Sequence, residues 1–126
     1  RTQVIKNGEL IRITRDHSLG QELVDAGEIT ADEAEKHPNK NIITRSLGQP
    51  TDIDVDTLTL EIDADDIIIM SSDGLTNMVP AEAIIETVDN DQDVTSQAQA
   101  LVSLANTNGG LDNITVILVK FDKGDL

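Results

Sequence analysis

Residues 67–74 read Ile67-Ile68-Ile69-Met70-Ser71-Ser72-Asp73-Gly74, and residues 109–116 read Gly109-Gly110-Leu111-Asp112-Asn113-Ile114-Thr115-Val116. Ile67 to Met70 is a continuous apolar run, the pattern of a strand covered on both faces. Ile114 to Phe121 is rich in β-branched residues and predicts a second strand. If the two are antiparallel neighbours, the end of the first lies beside the start of the second. Asp73 follows one strand and Asp112 precedes the other, so both carboxylates come to one edge of a rigid sheet. Mg²⁺ and Mn²⁺ are held in this way, by hard oxygen ligands on stiff supports with waters in the remaining positions. Asp-Gly and Asp-Asn pairs also make ordinary turns and caps. Position alone leaves both readings open.

The rest of the chain supplies the setting. Val4-Ile5 and Leu10 to Ile13 flank Asn7-Gly8, a strong signal for a two-residue hairpin turn. The chain opens on Arg1 with no initiator Met, and its first strand is short, so an upstream segment is expected to be missing. Ser18 to Gln21 and Thr30 to Glu33 have capping-box spacing and predict two short helices, with Gly27 and His37-Pro38 as stops. Asn41 to Thr44 reads as a short strand. Asp54 to Ile62 reads as a longer one, with Val55, Leu58, Leu60 and Ile62 on one side after a slip at Asp56-Thr57. Pro80 suits a first helical turn, followed by the stripe Ile84, Ile85 and Val88. Asp93 caps a longer helix that Gly109-Gly110 ends. This is an α/β unit with an irregular insertion between Asp16 and Gly48.

Composition removes several function classes. Nine Lys and Arg stand against 24 Asp and Glu, for a net charge of −15. No basic residue occurs between Ser46 and Val119, and so acidic a surface repels a phosphate backbone, which excludes nucleic-acid binding. Phe121 is the only aromatic, so no stacking platform for bases exists. Cysteine is absent, which excludes thiol nucleophiles, disulfides and Cys-ligated zinc and points to a cytoplasmic location. No apolar run reaches the ~20 residues of a membrane helix.

Ser72-Asp73-Gly74-Leu75 and Gly109 to Val116 resemble the two C-terminal metal motifs of the bacterial PPM family, the type 2C metal-dependent Ser/Thr protein phosphatases. The insertion agrees in order: Arg15-Asp16-His17-Ser18-Leu19, Gly27-Glu28-Ile29-Thr30, Glu33-Ala34, His37-Pro38 and Asn41 to Gly48. The resemblance implies part of a two-sheet β-sandwich flanked by helices, an α+β sandwich, with a flap at about 16–48 beside the active site. It implies Mn²⁺ or Mg²⁺ as cofactor, two or more ions in a complete domain, with Asp73 and Asp112 as ligands and Asn113 ordering the groups behind them. His17 and Arg45 become candidate flap groups facing substrate. The implied reaction is metal-assisted hydrolysis of phosphoserine and phosphothreonine on protein substrates, opposing a Ser/Thr kinase.

The family's upstream Asp-Gly-x-Gly-Gly motif and an earlier acidic residue are absent from these 126 residues, and Arg1 resembles the last residue of a Gly-Asp-Ser-Arg segment. The chain thus resembles the C-terminal half of one phosphatase domain, residues 1–126, without the N-terminal half. Two carboxylates do not hold two ions, so the chain by itself is expected to be inactive.

Rival readings remain. One is a non-catalytic acidic interaction module that keeps the fold; another is a calcium-binding domain. Asp52-x-Asp54-x-Asp56 begins like a calcium loop, but Thr57 stands where Gly is required and Asp63 replaces the final Glu. Asp89-x-Asp91-x-Asp93 fails in the same way and reads as a loop plus helix cap. His17 on a loop is more commonly structural than a general acid, and Arg45 suits a surface ion pair as well as a phosphate.

Overall fold

Asn7 and Gly8 take φ values of +51° and +77°, the left-handed pair that a tight two-residue hairpin turn demands. They join β1 (Thr2–Lys6) to β2 (Glu9–Arg12), with Val4 opposite Ile11. In the computed structural model, which describes residues 1–126, the predicted apolar run forms β3 (Ile67–Ser71). It pairs antiparallel with β1 on one side and with β4 (Val116–Lys120) on the other. The sheet order is β2-β1-β3-β4. This mixed α/β architecture, an antiparallel sheet backed by helices, is the class expected from the sequence.

The chain divides into two compact units, Arg1–Thr14 with Glu61–Leu126, and Arg15–Leu60. In the first unit, alternate side chains of each strand face opposite ways. Ile5, Ile67 and Ile69 share one face and join a single buried cluster with Leu75, Val79, Ile84, Val88, Leu101 and Ala105. Those partners come from α3 (Asp73–Thr76), the loop after it, α4 (Ala81–Val88) and α5 (Val94–Thr107). The other face carries Val4, Ile68, Met70, Ile117 and Val119 by the same register. Apolar residues on both faces explain why the sequence of β3 does not alternate.

Polar contacts fix the ends. Asp93 accepts the Ser96 N–H at 2.9 Å and starts α5 as expected. Pro80 is the residue before α4 rather than within its first turn. The buried Gln97 amide donates to the carbonyls of Val88 (2.9 Å) and Asn90 (3.1 Å), tying the end of α4 to the first turns of α5. Asp66 is only 5% exposed. Its carboxylate accepts the Asp63 N–H at 2.9 Å and the Lys6 ammonium at 3.1 Å. Asp65, at φ +72°, sends its N–H to the Phe121 carbonyl at 3.1 Å. The turn that feeds β3 is thereby fastened to β1 and to the residue that follows β4.

In the second unit, α1 (Leu19–Asp25) begins where Ser18 accepts the Gln21 N–H, but Gln21 bonds Asp25 instead of closing the box. The second box is complete: Thr30 and Glu33 exchange both bonds at the start of α2 (Ala31–Lys36). The strand expected over Asn41 to Thr44 is reduced to a single bridge between Ile43 and Ser18. Residues 54–62 carry no ladder at all, contrary to the alternation of the sequence. Val55 and Leu58 are 79% and 55% exposed, whereas Leu60 and Ile62 are half-buried without pairing. No helix is long and apolar enough to cross a membrane.

The Asp63 N–H, and after it Lys6, hold the Asp66 carboxyl below its ordinary value of 3.8, against the opposing effect of burial. A carboxyl depressed in the folded state stabilises the fold fully above the ordinary value, and that contribution disappears as pH falls through the lower folded value. Asp66→Asn should cost about 1–3 kcal/mol near pH 7 and show a shallower loss of stability below pH 3.8. Urea midpoints at pH 7 and pH 3 measure both; an unchanged acid slope contradicts the assignment.

Candidate metal centre

The β3–β4 ladder ends with Ser71 opposite Val116. One residue beyond it, Ser72 bridges the two strands. Its N–H donates to the Thr115 carbonyl at 3.1 Å, and its Oγ accepts the Thr115 N–H at 3.0 Å. The same hydroxyl donates to the Asn113 carbonyl at 3.1 Å. Asp73 then opens α3, and the Asn77 N–H returns to its carbonyl at 2.9 Å. At Gly74 an added Cβ would lie 2.1 Å from the Asn113 carbonyl oxygen, closer than any side chain tolerates. The residues on either side of Asp73, Ser72 by its hydroxyl and Gly74 by its backbone, are therefore packed directly on the residue after Asp112.

Asp112 is held from its other side. Its Oδ1 accepts the Asn113 N–H at 2.7 Å, leaving Oδ2 for another partner. Asn113 thus reaches Asp112 through its backbone N–H. Asp73, Asp112 and Asn113 are all exposed. The structure brings Asp73 and Asp112 to one end of the β3–β4 pair, on supports fixed by a ladder and three hydrogen bonds.

These donors suit a divalent cation of the Mg²⁺ or Mn²⁺ type, which takes one or two carboxylates and keeps waters in its other positions. They do not suffice for a pair of ions, because no cluster of three or more acidic or histidine side chains forms.

His17 and Arg45 belong to the second unit. His17 Nε2 lies 2.9 Å from Asp56 Oδ2. The Arg45 guanidinium donates to Asp56 Oδ1 at 3.1 Å and to the Asp54 carbonyl at 3.0 Å. Arg45 thus makes the surface ion pair weighed from the sequence, with the Asp56 carboxylate and the Asp54 backbone carbonyl as its partners. Its guanidinium holds the Asp56 carboxyl below the ordinary range, with a smaller contribution from His17. Asp56 was missed as an organising residue. The alternating acids around it were the available signal, and they are equally common in solvated loops.

No family model matches the chain. Curated relatives do. Protein phosphatase PhpP of Streptococcus pneumoniae is 44% identical over 125 residues, covering 99% of this chain and 51% of that protein. The Serine/threonine phosphatase stp of Listeria monocytogenes is 40% identical over 122 residues, covering 97% of this chain and 48% of its own. Among solved structures, the serine/threonine phosphatase of S. agalactiae superposes with a TM-score of 0.93 at 42% identity, covering 97% of this chain and 50% of that one. The chain belongs to the PPM family of Ser/Thr phosphatases. It spans about half the length of the curated relatives it matches. Another PPM relative, the catalytic domain of PstP, was solved with two manganese ions; it superposes with a TM-score of 0.75 at 38% identity, over 94% of this chain and 48% of its own.

Asp56→Asn should speed amide exchange at Leu19 and Thr44, whose N–H groups bond the carbonyls of Ile42 and His17, because the substitution releases both His17 and Arg45. Exchange in β3 should not change. The same release is expected in the parent protein as pH falls through the lowered Asp56 value. Unaltered exchange at Leu19 and Thr44 would show that Asp56 does not hold these two bonds in place.

Proposed function

We propose that this chain forms the C-terminal half of a metal-dependent protein phosphatase domain acting on phosphoserine and phosphothreonine in proteins, opposite a Ser/Thr kinase in the cytoplasm. The observation that carries the reading is the convergence of Asp73 and Asp112 at the locked end of β3 and β4. Their carboxylates hold one Mn²⁺ or Mg²⁺. When bound, the cation supplies positive charge that lowers the pKa of a water and neutralises a phosphoryl group. The chain's own contribution is positional: β3 aims Asp73, the Asn113 N–H orients Asp112, and the missing thiols are no handicap because no phosphoenzyme is required. His17 and Arg45 are proposed as groups of the flap, where release from Asp56 would free them for substrate. Further ligands for a second ion come from outside these residues.

Purified as 126 residues, the chain should therefore not turn over p-nitrophenyl phosphate with Mn²⁺. Metal-dependent turnover by pure material would sink the half-domain reading.

In the full-length protein, Asp73→Asn or Asp112→Asn should lower Mn²⁺-dependent kcat/KM by about 10²-fold or more, since each amide removes a charge that cation binding depends on. In EDTA the same variants should melt no earlier than the parent, because two like charges at one sheet edge repel. A turn or cap role predicts the opposite pair of results: earlier melting with an unchanged rate. Initial rates beside thermal melts decide between them.

A further inference from the structure

We propose that Ser72 is a positioning residue that sets the spacing of Asp73 and Asp112 before any cation binds. This inference rests on the reading of those aspartates as ligands. Ser72 occupies the N-cap position of α3 in an extended conformation, φ −70° and ψ 165°, yet makes no side-chain capping bond. A serine there ordinarily spends its oxygen on an N–H of the first helical turn. Here the hydroxyl turns to the neighbouring strand, taking the Thr115 N–H and giving its proton to the Asn113 carbonyl.

The placement matters because the ladder has already ended at Ser71 and Val116. Past that point no ladder holds the two segments together, and Asp73 and Asp112 lie on them. Ser72 closes the gap with three bonds to Asn113 and Thr115, while Gly74 lets the arms touch on the far side of Asp73. The two hydroxyl bonds are solvent-exposed, so water replaces them cheaply when the hydroxyl is lost, while the backbone bond from Ser72 to Thr115 stays. The cost of losing them then falls on ligand geometry, with little on the fold, and groups that orient ligands are known to change metal affinity by about 10–100-fold.

The test compares Ser72→Ala, Ser72→Thr and Asp112→Asn with the parent in the full-length protein. Amide exchange of Thr115 is read in EDTA, and Mn²⁺ affinity by electron paramagnetic resonance of the free ion. Ser72→Ala should speed Thr115 exchange and weaken Mn²⁺ binding about tenfold, or about 1.4 kcal/mol, with melting shifted by less than about 3 °C. Ser72→Thr, which keeps the hydroxyl, should restore both. Unchanged Thr115 exchange or unchanged affinity in Ser72→Ala, with Asp112→Asn binding weakly, overturns the role of Ser72 alone. A larger melting loss in Ser72→Ala makes the residue structural and also overturns it. Parent-like affinity in Asp112→Asn instead overturns the ligand reading, and the role of Ser72 with it.

Discussion

A carboxylate is a dependable ligand only where the backbone beneath it cannot move, and here that hold comes from β3. The strand is paired on both edges, to β1 and to β4, and Ile67 and Ile69 are buried in the helix-covered cluster. Displacing it would break two ladders and expose the centre of the core together. Asp73 inherits that rigidity because it follows the strand after one residue. Asp112 has no strand of its own beneath it. It borrows the hold through Asn113 and Thr115, which lean on Ser72 and Gly74.

The sparse basic residues are spent in a way that fits this division. Lys6 faces Asp63 and Asp66 at the turn into β3, and Arg45 faces Asp56 in the second unit. Both carboxyls they stabilise, Asp66 and Asp56, are held below the ordinary range. Each cation thus fastens a loop by neutralising acids that local folding crowds together. With no Lys or Arg between Ser46 and Val119, the acids of that stretch have basic partners only from before it or after it in the chain, as Asp56, Asp63 and Asp66 do. An acidic surface of this kind attracts divalent ions and discourages polyanions.

Elements defined by local chemistry were legible in the sequence. The Asn7-Gly8 turn, the Thr30 box, the Asp93 cap and the apolar run of β3 each depend on residues within a few positions of one another, and each is present. Elements that need a distant partner were not. Residues 54–62 alternate as a strand should, but alternation reports only which side chains share a face. A strand also needs a ladder, and no segment of this chain supplies one. The short α3 was missed for the converse reason: four residues, Asp-Gly-Leu-Thr, carry too little periodicity to register, and burial of Leu75 is what holds them.

The candidate centre divides along the same line. Asp73 and Asp112 were visible because each lies within a few residues of a strand that the residue pattern predicts, and antiparallel pairing then brings the two segments to one end of the sheet. Ser72 was invisible as more than a neighbour, since a serine ahead of Asp-Gly is an unremarkable cap by sequence. Its role depends on where its hydroxyl points, and that is decided by Thr115, 43 positions away. Gly74 shows the same dependence: its lack of a side chain matters only because the Asn113 carbonyl occupies the space. The sequence therefore names the residues that carry charge, whereas the residues that aim the charge emerge only when two strands meet. On the proposed reading of Asp73 and Asp112 as ligands, a variant that keeps both aspartates but alters the Ser72 or Gly74 positions would look intact by motif yet lose the contacts that hold the two segments together.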